Sequence, residues 1–232
     1  MGQKVNPIGF RTGITEDWKS KWYAPKAAYG DFLVEDFKLR RHIDQKLNRR
    51  PPFAGISDIL IERTREEVTI TLKTARPGLV IGPKGAEVDK LREELEDMIK
   101  RKVAPIKVIE IKNPDLNAQL VAEAIAEQLK KRASFRRVLK QRMEATMQAG
   151  AKGIKICVSG RLGGAEIART EQTVLGSIPL TTLQANVDYG YAPTFTTYGA
   201  IGVKCWIYRG MYGEEVLETD VRPGGPLRRG RR

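Results

Sequence analysis

Between the apolar run Leu79-Val80-Ile81 and a helix whose period is written in Val88, Leu91, Leu95, Met98 and Ile99 stands the tetrapeptide Gly82-Pro83-Lys84-Gly85. The spacing of those apolar residues, i, i+3, i+7, i+10 and i+11, is that of one stripe along an α-helix. A glycine-flanked turn that opens directly into a helix leaves backbone N–H groups free at the positive end of the helix dipole, and both features favour an anion. The glycines let a polymeric anion approach the main chain, Pro83 stiffens the turn and Lys84 adds a mobile point charge. A nucleoside-triphosphate P-loop is excluded, because the Gly-Lys-Ser/Thr ending is missing and Ala86 follows Gly85.

The flanks constrain the fold further. Two strand-like runs precede the turn, at 59–63 and 68–73, the second alternating Val68, Ile70 and Leu72 with Thr and Lys, and a third follows at 106–111. A short helix is expected from Pro77, a favoured first-turn residue. An earlier helix, 31–47, is expected to pack on the sheet through Leu33 or Phe32, Phe37, Ile43 and Leu47. The order helix, strand, strand, short helix, turn, long helix, strand is that of a type II KH domain (α-β-β-α-α-β), a module whose G-x-x-G turn clamps four nucleotides of a single strand.

The pattern resets after Asn113-Pro114. Leu116, Leu120, Val121, Ala124, Ile125, Gln128 and Leu129 trace a new amphipathic helix, and it runs into a segment, 130–142, with seven cations and no acid. Read as helix, that segment stacks Arg132, Arg136 and Lys140 at i, i+4 and i+8, with Arg137 one position round. Like charges so placed repel by roughly 0.2–0.5 kcal/mol per pair, so a counter-anion such as RNA phosphate is expected along them. Phe135, Val138, Leu139, Met143 and Met147 form the packing side, and Gly150 marks the stop.

Four strand-like segments follow, 154–159, 168–175, 185–191 and 203–208. The chain therefore reads as α+β with two domains: an arm over 1–30, the KH domain over 31–113, a second domain over 114–209 of two helices packed on a mostly antiparallel four-stranded sheet, and a basic flexible tail over 210–232. Between the first two of those strands, Arg161 and Arg169 bracket a glycine-rich loop containing Gly163 and Gly164 that could press against phosphates. Tyr189, Tyr191, Phe195 and Tyr198 could stack bases or fill the core. The tail carries Arg222, Arg228, Arg229, Arg231 and Arg232 and is expected to stay disordered until RNA neutralises it.

The formal net charge of +13, from 41 Lys and Arg against 28 Asp and Glu, favours a polyanionic partner. No stretch approaches the roughly 20 apolar residues of a membrane span, and no signal-peptide core opens the chain. Cys157 and Cys205 make no zinc set and are expected to pack structurally. His42, the single histidine, supports no triad or metal motif, so no catalytic residue and no cofactor is expected. The opening residues read as an extended arm. Trp18, Trp22 and Tyr23, set among Lys19, Lys21 and Lys26, suit either docking on a partner or anchoring that arm.

Blocks in family order extend over nearly the whole chain: Met1-Gly2-Gln3-Lys4-Val5-Asn6-Pro7, Thr74-Ala75-Arg76-Pro77-Gly78-Leu79-Val80-Ile81-Gly82, Phe135-Arg136-Arg137, residues 150–170 centred on Ser159-Gly160-Arg161-Leu162-Gly163-Gly164-Ala165-Glu166, and Thr197-Tyr198-Gly199-Ala200-Ile201-Gly202-Val203-Lys204. In these the chain resembles the family of bacterial-type small-subunit ribosomal protein three. The resemblance implies a place in the head of the small subunit, in the cytoplasm or a plastid, bound to ribosomal RNA. It implies small-subunit proteins ten and fourteen as neighbours, with proteins four and five around the channel where messenger RNA enters. It also implies that Arg136, Arg137 and Lys140 face the incoming message and help to melt it without an ATPase site. One departure is Pro83, where the family often carries a cation. The alternative is a free-standing KH regulator of transcripts.

Overall fold

The computed structural model describes residues 3–49, 52–64 and 67–213. Of the expected tail, Gly210 and Met211 are instead the end of the last strand, Gly199–Met211, and residues 214–232, with Arg228 and Arg229, lie outside the described residues.

Two large hydrophobic cores organise the chain, with a third, small cluster around Ala185, Val187 and Tyr208. The first is built from helices α2 (Lys26–Ile43), α3 (Pro77–Ile81) and α4 (Ala86–Ile99) on a sheet of β1 (Ser20–Lys21), β2 (Ile56–Arg63), β3 (Glu67–Thr74), β4 (Lys102–Val103) and β5 (Lys107–Glu110). α1 (Pro7–Arg11) precedes these elements. β2 and β3 are antiparallel, whereas β4 and β5 both run parallel to β3. The alternation that marks β3 buries Val68, Ile70, Leu72 and Thr74 on one face, against Leu91, Leu95 and Ile99 of α4. α2, β2, β3, α3, α4 and β5 reproduce the KH order. Met98, expected on the α4 stripe, is 39% exposed.

The helical phase of α2 differs from the expectation. Leu33 and Phe37 are exposed, while Asp36, Leu39 and Ile43 face inward, Phe32 is half-buried and Leu47 packs at the edge. The physical reason is an ionic core. Asp36 Oδ1 accepts a bond of 2.5 Å from Arg63, whose other η-nitrogen lies 2.6 Å from Glu35, and the indole of Trp22 donates to Asp36 at 2.8 Å. The Arg63 guanidinium also lies over the Phe32 ring. A carboxylate thus holds a position that apolar patterning assigns to a hydrophobe.

The N-terminal segment is not merely an extended arm. α1 is capped by the Asn6 side chain, and Arg11 at its end is fully buried. Arg11 donates to the carbonyls of Ala185, Leu180, Pro179 and Thr182, which fastens α1 to the start of the strand Ala185–Thr196 and the segment before it. Further on, β1 adds to the first sheet beside β2, and Trp22 packs against Tyr29 and Phe32. Trp22 therefore anchors the segment, whereas Trp18 and Tyr23 stay exposed.

The second core lies between helices α5 (Ala118–Lys130) and α6 (Phe135–Gln148) and an antiparallel sheet of β6 (Gly153–Gly160), β7 (Arg169–Gly176), β8 (Ala185–Thr196) and β9 (Gly199–Met211), in the order β7-β6-β9-β8. α5 starts at Asn117, whose side chain accepts from the N–H groups of Gln119 and Leu120. The backbone of Ala118 presses onto Gly190, where a Cβ would stand 2.3 Å from the Ala118 carbonyl oxygen, so this crossing requires glycine. Cys205 is fully buried and its thiol is pushed up in pKa by burial, as suits a packing role.

Candidate nucleic-acid interface

α5 ends in a Schellman arrangement: Ala133 N–H bonds Gln128 O at 3.1 Å and Arg132 N–H bonds Leu129 O at 3.0 Å. Arg132 takes the left-handed position, φ 61°, which closes this cap. It lies before α6 begins and does not stack with Arg136 and Lys140, contrary to the i, i+4, i+8 reading. The helix breaks here because the cap needs a residue out of helical register, and a non-glycine there carries strain of order 1 kcal/mol.

α6 buries Val138, Leu139 and Met143, with Phe135 and Met147 packed at the margin, as their spacing predicts. Arg136, Arg137 and Lys140 are left on the exposed side. The stop is a second Schellman turn, with Gly150 at φ 102°. At the other end the first turn holds no acid, and Ser134 makes no side-chain cap bond. Cations at a helix N-terminus oppose the macrodipole, so this end is electrostatically incomplete without an anion.

The remaining cations of the basic run divide. Lys131 pairs with Glu127 at 2.6 Å, Arg142 turns towards Asp115 at 3.6 Å, and Lys140 lies 3.9 Å from Glu144. Arg132, Arg136 and Arg137 make no ion pair among the described residues. Arg169 of β7, far off in sequence, comes to the same place: its guanidinium and that of Arg136 lie 5.8 Å and 5.6 Å from the Phe135 ring centre. Arg169 is also 3.6 Å from Glu171.

Arg161 does not belong to this group as a free cation. Its Nε donates to the Ala165 carbonyl at 2.8 Å and a terminal nitrogen to the Tyr198 carbonyl at 3.1 Å, so it braces the glycine loop against the β8–β9 turn. Gly163 and Gly164 adopt φ 66° and 82°, and Gly164 lies under the Tyr198 ring. The loop is thus a braced turn.

At the KH turn, Gly82 has φ 69° and Gly85 has φ 82° at the start of α4. A Cβ on Gly82 would meet Glu87 Cγ at 2.5 Å. Pro83 and Lys84 form the intervening 3-10 turn; the Lys84 side chain lies outside what is described. Unlike α6, α4 carries Glu87 and Asp89 in its first turn, which already complement its dipole. His42 is bonded at 3.0 Å to Glu94, which Lys46 also engages, and these two partners hold that carboxyl below its ordinary pKa.

Sequence reading did not single out Trp206 or Lys155. Both stand between buried neighbours in their strands, so period-2 alternation puts them on the sheet face away from the helices.

Comparison with known proteins agrees with this architecture. Residues 38–116 match the family model for the KH domain, and residues 125–207 match that for the ribosomal protein S3 C-terminal domain. The small ribosomal subunit protein uS3 of Rhodopirellula baltica is 52% identical over 97% of this chain and 95% of its own length. That of Desulforamulus reducens is 52% identical over 97% of this chain and all of its own length, and that of Shouchella clausii 53% identical over 94% and 96%.

Proposed function

The chain belongs to the uS3 family of small ribosomal subunit proteins, and we propose that it holds ribosomal RNA and lines the channel by which messenger RNA enters, with α6 guiding the message. Membership makes it a structural, non-enzymatic constituent of the ribosome. The cytoplasm is the compartment that fits this reading, and the functional units are the KH domain over 31–113 and the RNA-binding domain over 114–209.

The observation that carries the reading is the first turn of α6. Among the described residues, Arg136 and Arg137 stand unpaired by carboxylates at the positive end of a helix dipole, Arg169 approaches from β7, and Lys140 extends the cationic side one turn on. Such an arrangement is stabilised by phosphate and weakened by its absence. Binding of a passing strand by charge alone is sequence-tolerant, as a channel for every message requires. Single-stranded RNA held there is withdrawn from pairing, which biases a hairpin towards opening without nucleotide hydrolysis. Arg132, held strained in the preceding cap, adds a cation at the approach to α6.

Ribosomal RNA binding is assigned to the KH turn, Gly82, Pro83, Lys84 and Gly85, and to the glycine loop, where Arg161 shapes the backbone of Gly163 and Gly164 and Arg169 offers charge. The basic tail with Arg228 and Arg229 is assigned the same role. The exposed apolar side of α2, Leu33, Val34 and Phe37, supports protein neighbours on the first domain, in line with small-subunit proteins ten and fourteen. Proteins four and five are placed with it around the channel.

The test is the salt dependence of binding to an unstructured RNA strand. Taking away one phosphate-neutralising cation should flatten the slope of log affinity against log salt by about 0.7. R136A/R137A/K140A is expected to lower the slope by about 2, whereas an unchanged slope would mean that these cations are merely solvated.

A further inference from the structure

Helices α5 and α6 pack on one face of the β6–β9 sheet, and the other face carries Lys155, Trp206, Lys204, Tyr189 and Tyr191. At one end of that face α1, with Ile178 and Leu180, covers Ala185, Val187 and Tyr208, and Trp206 packs at the edge of this cluster. The strand registers set Lys155 beside Trp206, Trp206 beside Tyr189, and Lys204 beside Tyr191, all pointing away from the helices. Tyr189 and Trp206 rings are 5.3 Å apart, tilted by 50°, and the Lys155 ammonium lies 5.3 Å from the Trp206 ring centre. Tyr191 is 47% exposed, with its ring lying over Gly202. No Asp or Glu stands at the outward positions aligned across these strands, and neither lysine is ion-paired among the described residues.

We propose that this outer face is a second RNA site, which stacks unpaired ribosomal RNA bases on Tyr191 and on the Tyr189–Trp206 pair while Lys155 and Lys204 neutralise the adjoining phosphates. The chemistry favours nucleic acid over protein. Rings flanked by ammonium groups with no acid nearby suit a base followed by a phosphate, and every base has a π-face. Tyr189 and Tyr191, two residues apart along a strand, present rings about 7 Å apart, room for separate bases. The face is on the far side of the sheet from α6, so its ligand is not the message proposed there. Ribosomal RNA as the source rests on the family's place in the subunit, whereas the stacking claim stands without it.

The experiment uses the full chain with a short unstructured RNA and an abasic strand of equal length and charge. The intact RNA is expected to bind more tightly than the abasic strand. Y191L should weaken binding about ten-fold at unchanged salt slope, Y191F should restore it, and K155Q/K204Q should flatten the slope by about 1.4. Melting temperatures of the variants establish that they fold. R136A/R137A/K140A should leave the difference between intact and abasic strands in place, which separates this claim from that on α6. Equal binding of both strands, or wild-type affinity in folded Y191L, would overturn the site. In assembled subunits, photocrosslinks from the Tyr191 peptide to ribosomal RNA are expected; crosslinks to the message or to a protein instead would overturn the assigned source.

Discussion

Asp36 shows how one polar residue fixes a helix. It accepts from Arg63 and Trp22, and the side chains of both Asp36 and Arg63 are almost fully buried, at 6% and 2%. Removing one partner of a buried pair leaves the other uncompensated, which costs about 3–5 kcal/mol. D36A should therefore lower unfolding free energy by about that amount in denaturant titration, and a decrease under about 1 kcal/mol would show that water or Glu35 satisfies Arg63. Glu123 on α5 is a carboxyl with no cation bonded to it among the described residues. Burial pushes its carboxyl up to about 7, although Gln119 donates to it, and Asp44 and Arg49 share the cleft it faces. Because its folded pKa exceeds the unfolded one, the folded state binds the extra proton between about pH 4.5 and 7, and stability falls as pH rises through that window. E123Q should match the wild type near pH 5 and exceed it at pH 8 by on the order of 1 kcal/mol. Thermal melts at the two values check this.

At the scale of elements, the second core depends on α5 lying close to β8. A methyl at Gly190 would overlap the Ala118 backbone, so G190A should destabilise by about 1–3 kcal/mol and displace the Gln119 bonds to the Tyr191 backbone. Amide exchange at Tyr191 should accelerate together with the drop in stability; exchange unchanged in the variant would contradict so close a crossing. The elements were legible in sequence where a period dominated, as in β3, α4 and α5. Legibility failed where a charge took an inward position, at Asp36 and Arg11, since patterning by hydrophobicity assigns both to the surface. It also failed at Arg132, because a Schellman cap is decided by backbone hydrogen bonds that a run of cations does not reveal. The turn at Pro83 and the stop at Gly150 were readable for opposite reasons: proline fixes its own φ, whereas glycine takes the left-handed position of a helix stop at no steric cost.

For the whole molecule, the sequence marks both cores but not what joins them. Arg11 ties α1 to the start of β8 in the second sheet while β1 joins the first, so one short N-terminal segment touches both sheets. Charge is arranged at the same scale. Acids near the KH turn complement α4, whereas α6 presents its cations without acids at its start, and Arg169 was drawn into that group by strand register rather than by sequence distance. The central claim, that this face steers the message, is tested most directly by translation with small subunits carrying R136A/R137A/K140A. Two messages would be compared, identical except for a hairpin placed where the message enters. The account predicts normal subunit assembly, unchanged rates on the unstructured message and slower translation of the hairpin message. Equal slowing of both, or no slowing of either, would contradict it.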